Sequence, residues 1–204
     1  LVTELGIEVE NILFDAVTAL LGEGTLGAQQ ARQVGDDCER RYQVAHQLGL
    51  DLIMDGRATA DQARWIMELQ EMGQAFRHIS QDSVRIAALS LALQPPVEDV
   101  LEVAGASINL LEYLVEQTRL QVRNAINFAA SRDRKYARMI LDDVDDLKRA
   151  YIVLESRVQA AVQAKPRASF PMAQLLGVAA RLESVGRVCH GIANAVLYDP
   201  PNQH

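Results

Sequence analysis

Residues 181–198 read RLESVGRVCHGIANAVLY, and the spacing of the apolar residues in this stretch decides the fold. With the residues just upstream they form the series Leu175, Val178, Leu182, Val185, Cys189, Ile192 and Val196, alternately three and four apart. A helix turns once every 3.6 residues, so such a series lies along one stripe and predicts a helix packed in a bundle. Glu183 and Arg187, four residues apart, are expected to neighbour each other on the opposite, wet face. The stripe speaks to the fold; the wet face is where a function is to be sought.

The same period runs through the rest of the chain. Leu69, Met72, Phe76, Ile79, Ser83, Ile86, Ser90 and Leu93 form one series. Leu101, Ala104, Ile108, Leu111, Val115, Thr118, Val122 and Ala125 form another, and Ile140, Val144, Leu147, Tyr151, Leu154, Val158 and Ala161 a third. No segment alternates with the period of two that a half-buried strand needs. Breakers divide these runs: GEGTLG at 22–27, DGRAT at 55–59 with Thr59 as an N-cap, LQPPVED at 93–99, SRD at 131–133, and a loop AKPRASFP at 164–171. Six helices follow, and the fold class is all-α.

The six helices read as three written twice. FRHISQDSVRIAALSLAL at 76–93 lies over LESVGRVCHGIANAVLYD at 182–199, with Phe76 on Leu182, Ile79 on Val185 and Ile86–Ala87 on Ile192–Ala193. This internal repeat predicts two tandem antiparallel three-helix bundles, one over residues 1–94 and one over 97–204.

Composition narrows the function. A net charge of -7 argues against a nucleic-acid partner, which would be met by a basic surface. Cys38 and Cys189 fall on apolar stripes, give no CxxC motif and read as buried small hydrophobes. No apolar run approaches the roughly 20 residues of a membrane span, and no signal-peptide pattern stands at Leu1, so a soluble cytoplasmic protein without membrane insertion is expected. His46, His78, His190 and His204 are scattered without an Exx-His or HxxxH pair. There is no Walker loop, GxGxxG or Ser–His–Asp set, and an enzyme is not expected.

LESVGRVCHGIA at 182–193, together with the apolar frame of FRHISQDSVRIA at 76–87, resembles the PhoU family, whose third helices carry a pattern like L-E-R-I-G-D-x-A-x-x-I-A. The resemblance covers nearly the whole chain and implies a pair of three-helix bundles. It further implies a regulatory adaptor of phosphate uptake and phosphate signalling, which meets a phosphate transporter's ATPase subunit and a sensor kinase by protein contact. It also implies a homodimer, held peripherally at the inner face of the membrane by its partners. Many members bind iron or zinc clusters through a D-x-x-x-D motif on the second helix of each bundle and E-x-x-x-D on the third.

The chain departs from the pattern at those carboxylates. The third-helix pair reads Arg77 and Gln81 in the first half and Glu183 and Arg187 in the second; the second-helix pair reads Gly35 and Glu39, then Val144 and Lys148. Each half keeps one carboxylate and gains a cation, which repels a multivalent metal at close range whatever the dielectric. The expectation is that the clusters are absent and that Glu39 faces Arg77 while Lys148 faces Glu183.

Two alternatives stay open. One is a metal-binding bundle with relocated carboxylates, the residual candidates being Glu39, Asp142, Asp145 and Glu183; the acidic run LDDVDDL at 141–147 could hold a hard cation or be a solvated face. The other is a scaffold unrelated to phosphate. Arg77, Arg85, Arg181 and Arg187 could form a basic strip on the third helices, and Trp65 is either an interface anchor or packed under the preceding loop.

Overall fold

The computed structural model describes residues 1–20, 28–92 and 98–198. The breaker at 22–27, residues 93–97 of the proline-containing breaker, Asp199 of the repeat and His204 lie outside these. Six helices follow in order: α1 Val2–Leu20, α2 Ala28–Met54, α3 Ala60–Ala92, α4 Glu98–Ser131, α5 Arg134–Ala164 and α6 Ser169–Tyr198. Among the described residues there is no strand. The longest helix, α4, has 34 residues and so extends about 50 Å.

Local chemistry sets the helix ends. Thr59 Oγ1 accepts from the Gln62 amide N–H while Gln62 Oε1 accepts from the Thr59 N–H, a reciprocal capping box that starts α3. Gly56, with φ +67°, takes the left-handed turn after α2. The Asp133 side chain accepts from Lys135 N at 3.0 Å and caps α5. The break between α5 and α6 is shorter than AKPRASFP suggests: Lys165 is followed by one 3-10 turn, Pro166–Ala168, and α6 already includes Ser169, Phe170 and Pro171. Proline is tolerated there because the first turn of a helix has no intrahelical use for its N–H.

The helices pack as their stripes require. α3 lies against α1 and α2, and α6 lies against α4 and α5. The two sets meet where α3 packs on α6 and α1 on α4, and the buried apolar residues form one continuous cluster. All seven members of the α6 series are buried, as are Met72, Phe76, Ile79 and Ile86 of α3 and Ile140, Leu147, Leu154 and Val158 of α5. Each of the large side chains among them contributes about 1.5–3 kcal/mol by leaving water.

Two acidic side chains tie the sets together. Glu10 of α1, nearly buried, holds Arg123 at 2.5 Å and Arg119 at 3.6 Å, both on α4, and the Arg119 guanidinium lies 4.5 Å from the centroid of the Phe14 ring. Asp82 of α3, also buried, holds Arg85 at 3.2 Å and reaches Arg181 of α6 at 3.3 Å. Charges withdrawn from water this far persist only when paired, so each carboxylate fixes the register of its helix pair.

Trp65 has a different anchor from the preceding loop. Its ring meets Phe128 edge-on at 5.9 Å and carries the Arg132 guanidinium at 4.3 Å, so it locks α3 to the end of α4.

Candidate functional site

On the outer face of the first three helices, α2 presents Arg32, Gly35, Asp36 and Glu39 towards Arg77, Ser80, Gln81, Val84 and Arg85 of α3, around a groove of about 370 Å³. Arg77 Nε donates to Glu39 Oε2 across the two helices. Glu39 also accepts from the Gln43 amide at 2.9 Å, one turn along α2. The Gln43 hydrogen bond first, and the Arg77 hydrogen bond and charge after it, hold the Glu39 carboxyl below its ordinary range, against an opposing effect of burial. The guanidinium lies 5.4 Å from the centroid of the Tyr42 ring.

Gly35 explains how closely the two helices approach. A Cβ built there would stand 2.7 Å from Val84 Cγ2, well inside contact distance. The acidic residue that the resemblance would place at 35 therefore has no room while α2 and α3 keep this spacing. Beneath the groove Ser80 is 2% exposed and its hydroxyl has no well-formed hydrogen bond. The group its hydroxyl comes near is the Cys38 thiol, which burial pushes up and Ser80 partly brings back.

The second three helices are built differently. Glu183 pairs with Arg187 on its own helix at 3.0 Å, not with Lys148 of α5. The same-helix partner has the advantage: glutamate four residues ahead of arginine is the favoured helical order, whereas Lys148 must reach from another helix. Lys148 is exposed and forms no ion pair among the described residues. Glu183 is not on a fully wet face either, since only 16% of its side chain is exposed. Gly186, one turn along, admits Gln121 and Leu147, which would stand about 3.1 Å from a Cβ there.

Asp142 and Asp145 are exposed on α5, and Asp146 pairs with Arg149. Burial, then Asp142 and Asp146, push the Asp143 carboxyl up. His190 bonds Asn194 at 3.2 Å and His46 stacks on Tyr42 at 5.7 Å. Among the described residues no three His, Cys, Asp or Glu side chains converge as a metal site. The four third-helix arginines do not form a free basic strip: Arg77 holds Glu39, Arg85 and Arg181 share Asp82, and Arg187 holds Glu183.

No protein-family model matches the chain. It is 25% identical over 205 residues to the phosphate-specific transport system accessory protein PhoU homolog of Rhizobium meliloti, covering 97% of this chain and 81% of that protein. Its fold matches the crystal structure of PhoU from Pseudomonas aeruginosa with a TM-score of 0.83 at 20% identity, over 97% of this chain and 92% of that one. The chain is PhoU-like.

Within that PhoU-like frame the residues present do not fit a multinuclear iron or zinc centre. Gly35 leaves no room for a carboxylate beside Val84, the guanidinium of Arg77 occupies Glu39, and Asp36, the other acid on this face, shares the groove with Arg32 and Arg85. On the other face Arg187 holds Glu183. Oxygen-rich clusters need several unshared carboxylates, and the acids kept at the motif positions, Glu39 and Glu183, are each already paired.

Three residues of this architecture escape a reading by stripe. Arg32 precedes Glu39 by seven residues and so shares its face of α2, a signal present in the spacing. Ser80 and Asp82 carry no such signal, because their importance comes from burial against other helices.

Proposed function

We propose that this chain is a regulatory adaptor of phosphate uptake and phosphate signalling that works by protein contact and without the metal clusters that the resemblance implies. Residues 1–94 and 97–204 are its two repeats. The PhoU homolog of Rhizobium meliloti, similar along 97% of this chain, carries the link to a phosphate-specific transport system. The partners are the transporter's ATPase subunit and a sensor kinase, the setting is cytoplasmic at the inner face of the membrane, and the working form is a homodimer. Among the described residues no helix is long and apolar enough to cross a membrane, so attachment there falls to the partners.

One observation supports the loss of metal: Glu39, the carboxylate kept at the motif positions of the first face, is taken by Arg77 while Gly35 is closed by Val84. The outer faces, with Gln81, Lys148 and Arg187 turned to solvent, are then available to proteins instead of ions. A metal bundle with relocated carboxylates has less support, since Asp142 and Asp145 are exposed without a third ligand beside them.

Affinity capture from the native host under phosphate-rich conditions tests the reading. The transporter ATPase should co-purify with the wild-type chain and be depleted with a Gln81→Glu, Arg187→Glu variant. Capture of neither ATPase nor sensor kinase contradicts it and leaves the scaffold alternative.

A further inference from the structure

The groove between α2 and α3 has a composition that pairing with Glu39 does not use up. Three guanidiniums line it, those of Arg32, Arg77 and Arg85, against two carboxylates, those of Asp36 and Glu39. Asp82 beneath Arg85 brings the carboxylates to three, so in a chain with a net charge of -7 the groove is locally balanced rather than acidic. Arg32 forms no ion pair among the described residues, and Arg77 engages Glu39 through Nε alone, so its two terminal Nη groups keep their donors. Arg85 gives one Nη to the buried Asp82. At the floor lies Ser80, 2% exposed and without a well-formed hydrogen bond.

We propose that this groove binds a phosphoryl oxyanion. Guanidinium forks recognise planar carboxylates and tetrahedral phosphates alike. Donors arriving from α2 on one side and α3 on the other, with a hydroxyl below, suit an anion with three or four oxygens better than a flat one with two. Ser80 supplies the hydroxyl, whose neighbour in the unliganded groove is the Cys38 thiol, a weak partner that an anion oxygen would replace. The volume of about 370 Å³ admits inorganic phosphate and also the end of a small phosphomonoester. Glu39 has a positioning part: it holds Arg77 by Nε and turns the remaining donors outward. Asp36 opposes binding and keeps it weak, which suits a site that reports a changing concentration.

The proposal deepens the adaptor reading by giving the same face a ligand, but its test needs no partner protein. Intact protein in chloride buffer is titrated with inorganic phosphate, with sn-glycerol 3-phosphate and with sulfate, by calorimetry and by phosphorus NMR. Saturable binding of one phosphate per chain is expected. It should weaken about tenfold or more in Arg77→Gln and in Arg32→Gln, the loss of one charge-assisted bond of roughly 1.5–3 kcal/mol. Arg32 is exposed and unpaired among the described residues, so its variant should keep the fold; Arg149→Gln, on α5, should bind as wild type. A preference for inorganic phosphate over the ester assigns the free anion, and the reverse assigns an ester end. A response that never saturates, or equal binding by the Arg32→Gln and Arg149→Gln variants, overturns the proposal. Absent phosphate binding with the ATPase still captured removes this inference alone; phosphate binding without capture removes the adaptor reading alone.

Discussion

Arg77 on α3 reaches across to Glu39 on α2 and binds it through Nε, so that a cation of the protein stands at a position where the resemblance implies a carboxylate. Both side chains are about one-third exposed, which limits what the pair adds to stability. A double-mutant cycle with Glu39→Gln and Arg77→Gln, read from urea unfolding, should give a coupling of about 0.5–1 kcal/mol. Coupling indistinguishable from zero would show that the two side chains merely sit close together.

The depressed Glu39 carboxyl has a consequence for pH. Its charged form is favoured in the folded chain, so its stabilising effect is full above the unfolded glutamate's ordinary value of about 4.3 and fades as pH falls through the lower folded value. Glu39→Gln should therefore lower the melting temperature at neutral pH, with the gap to wild type closing in acid. A gap that widens on acidification would contradict the direction of the shift.

Gly35→Asp restores the acid expected from the resemblance but drives its Cβ into Val84. A loss of about 1–3 kcal/mol is expected, as for other overpacked sites. Adding Val84→Ala should recover a good part of it. If Gly35→Asp alone unfolds at the wild-type urea concentration, α2 and α3 are not as tightly apposed as described.

Gln121 of α4 is fully buried beside Gly186, and neither its amide nitrogen nor its oxygen has a partner. Gln121→Leu keeps the approximate volume and removes two unsatisfied groups, so it should stabilise by about 1 kcal/mol. A fall in melting temperature would mean that the amide is satisfied in solution, for instance by a trapped water.

Asp82 holds Arg85 beside it and Arg181 across the α3–α6 contact. Asp82→Ala should cost about 1–3 kcal/mol, because it leaves two arginines facing a buried gap. Arg181→Gln should cost less, since Arg85 still answers the carboxylate. Equal losses would place the interaction in the Arg181 contact alone.

Much of this fold is legible in the sequence because burial repeats at the period of the helix. The seam from Leu175 to Val196 names its own buried face, and Thr59 marks a helix start by chemistry that acts within three residues. The sites are less legible. Spacing within α2 and within α3 cannot say which turn faces which, so the placing of Glu39 opposite Arg77 leaned on the resemblance. The same reasoning fails for Lys148, because Glu183 has a nearer partner in Arg187 on its own helix. Asp82 and Arg181, 99 residues apart in the chain, leave no local trace at all.

The most direct test of the central claim is the iron and zinc content of untagged protein, by mass spectrometry after incubation with each metal and desalting. No metal above background is expected, in wild type and in Glu39→Gln and Glu183→Ala alike. Near-stoichiometric metal in wild type that falls in either variant would contradict it, and would mean that carboxylates held here by Arg77 and Arg187 are released to bind ions.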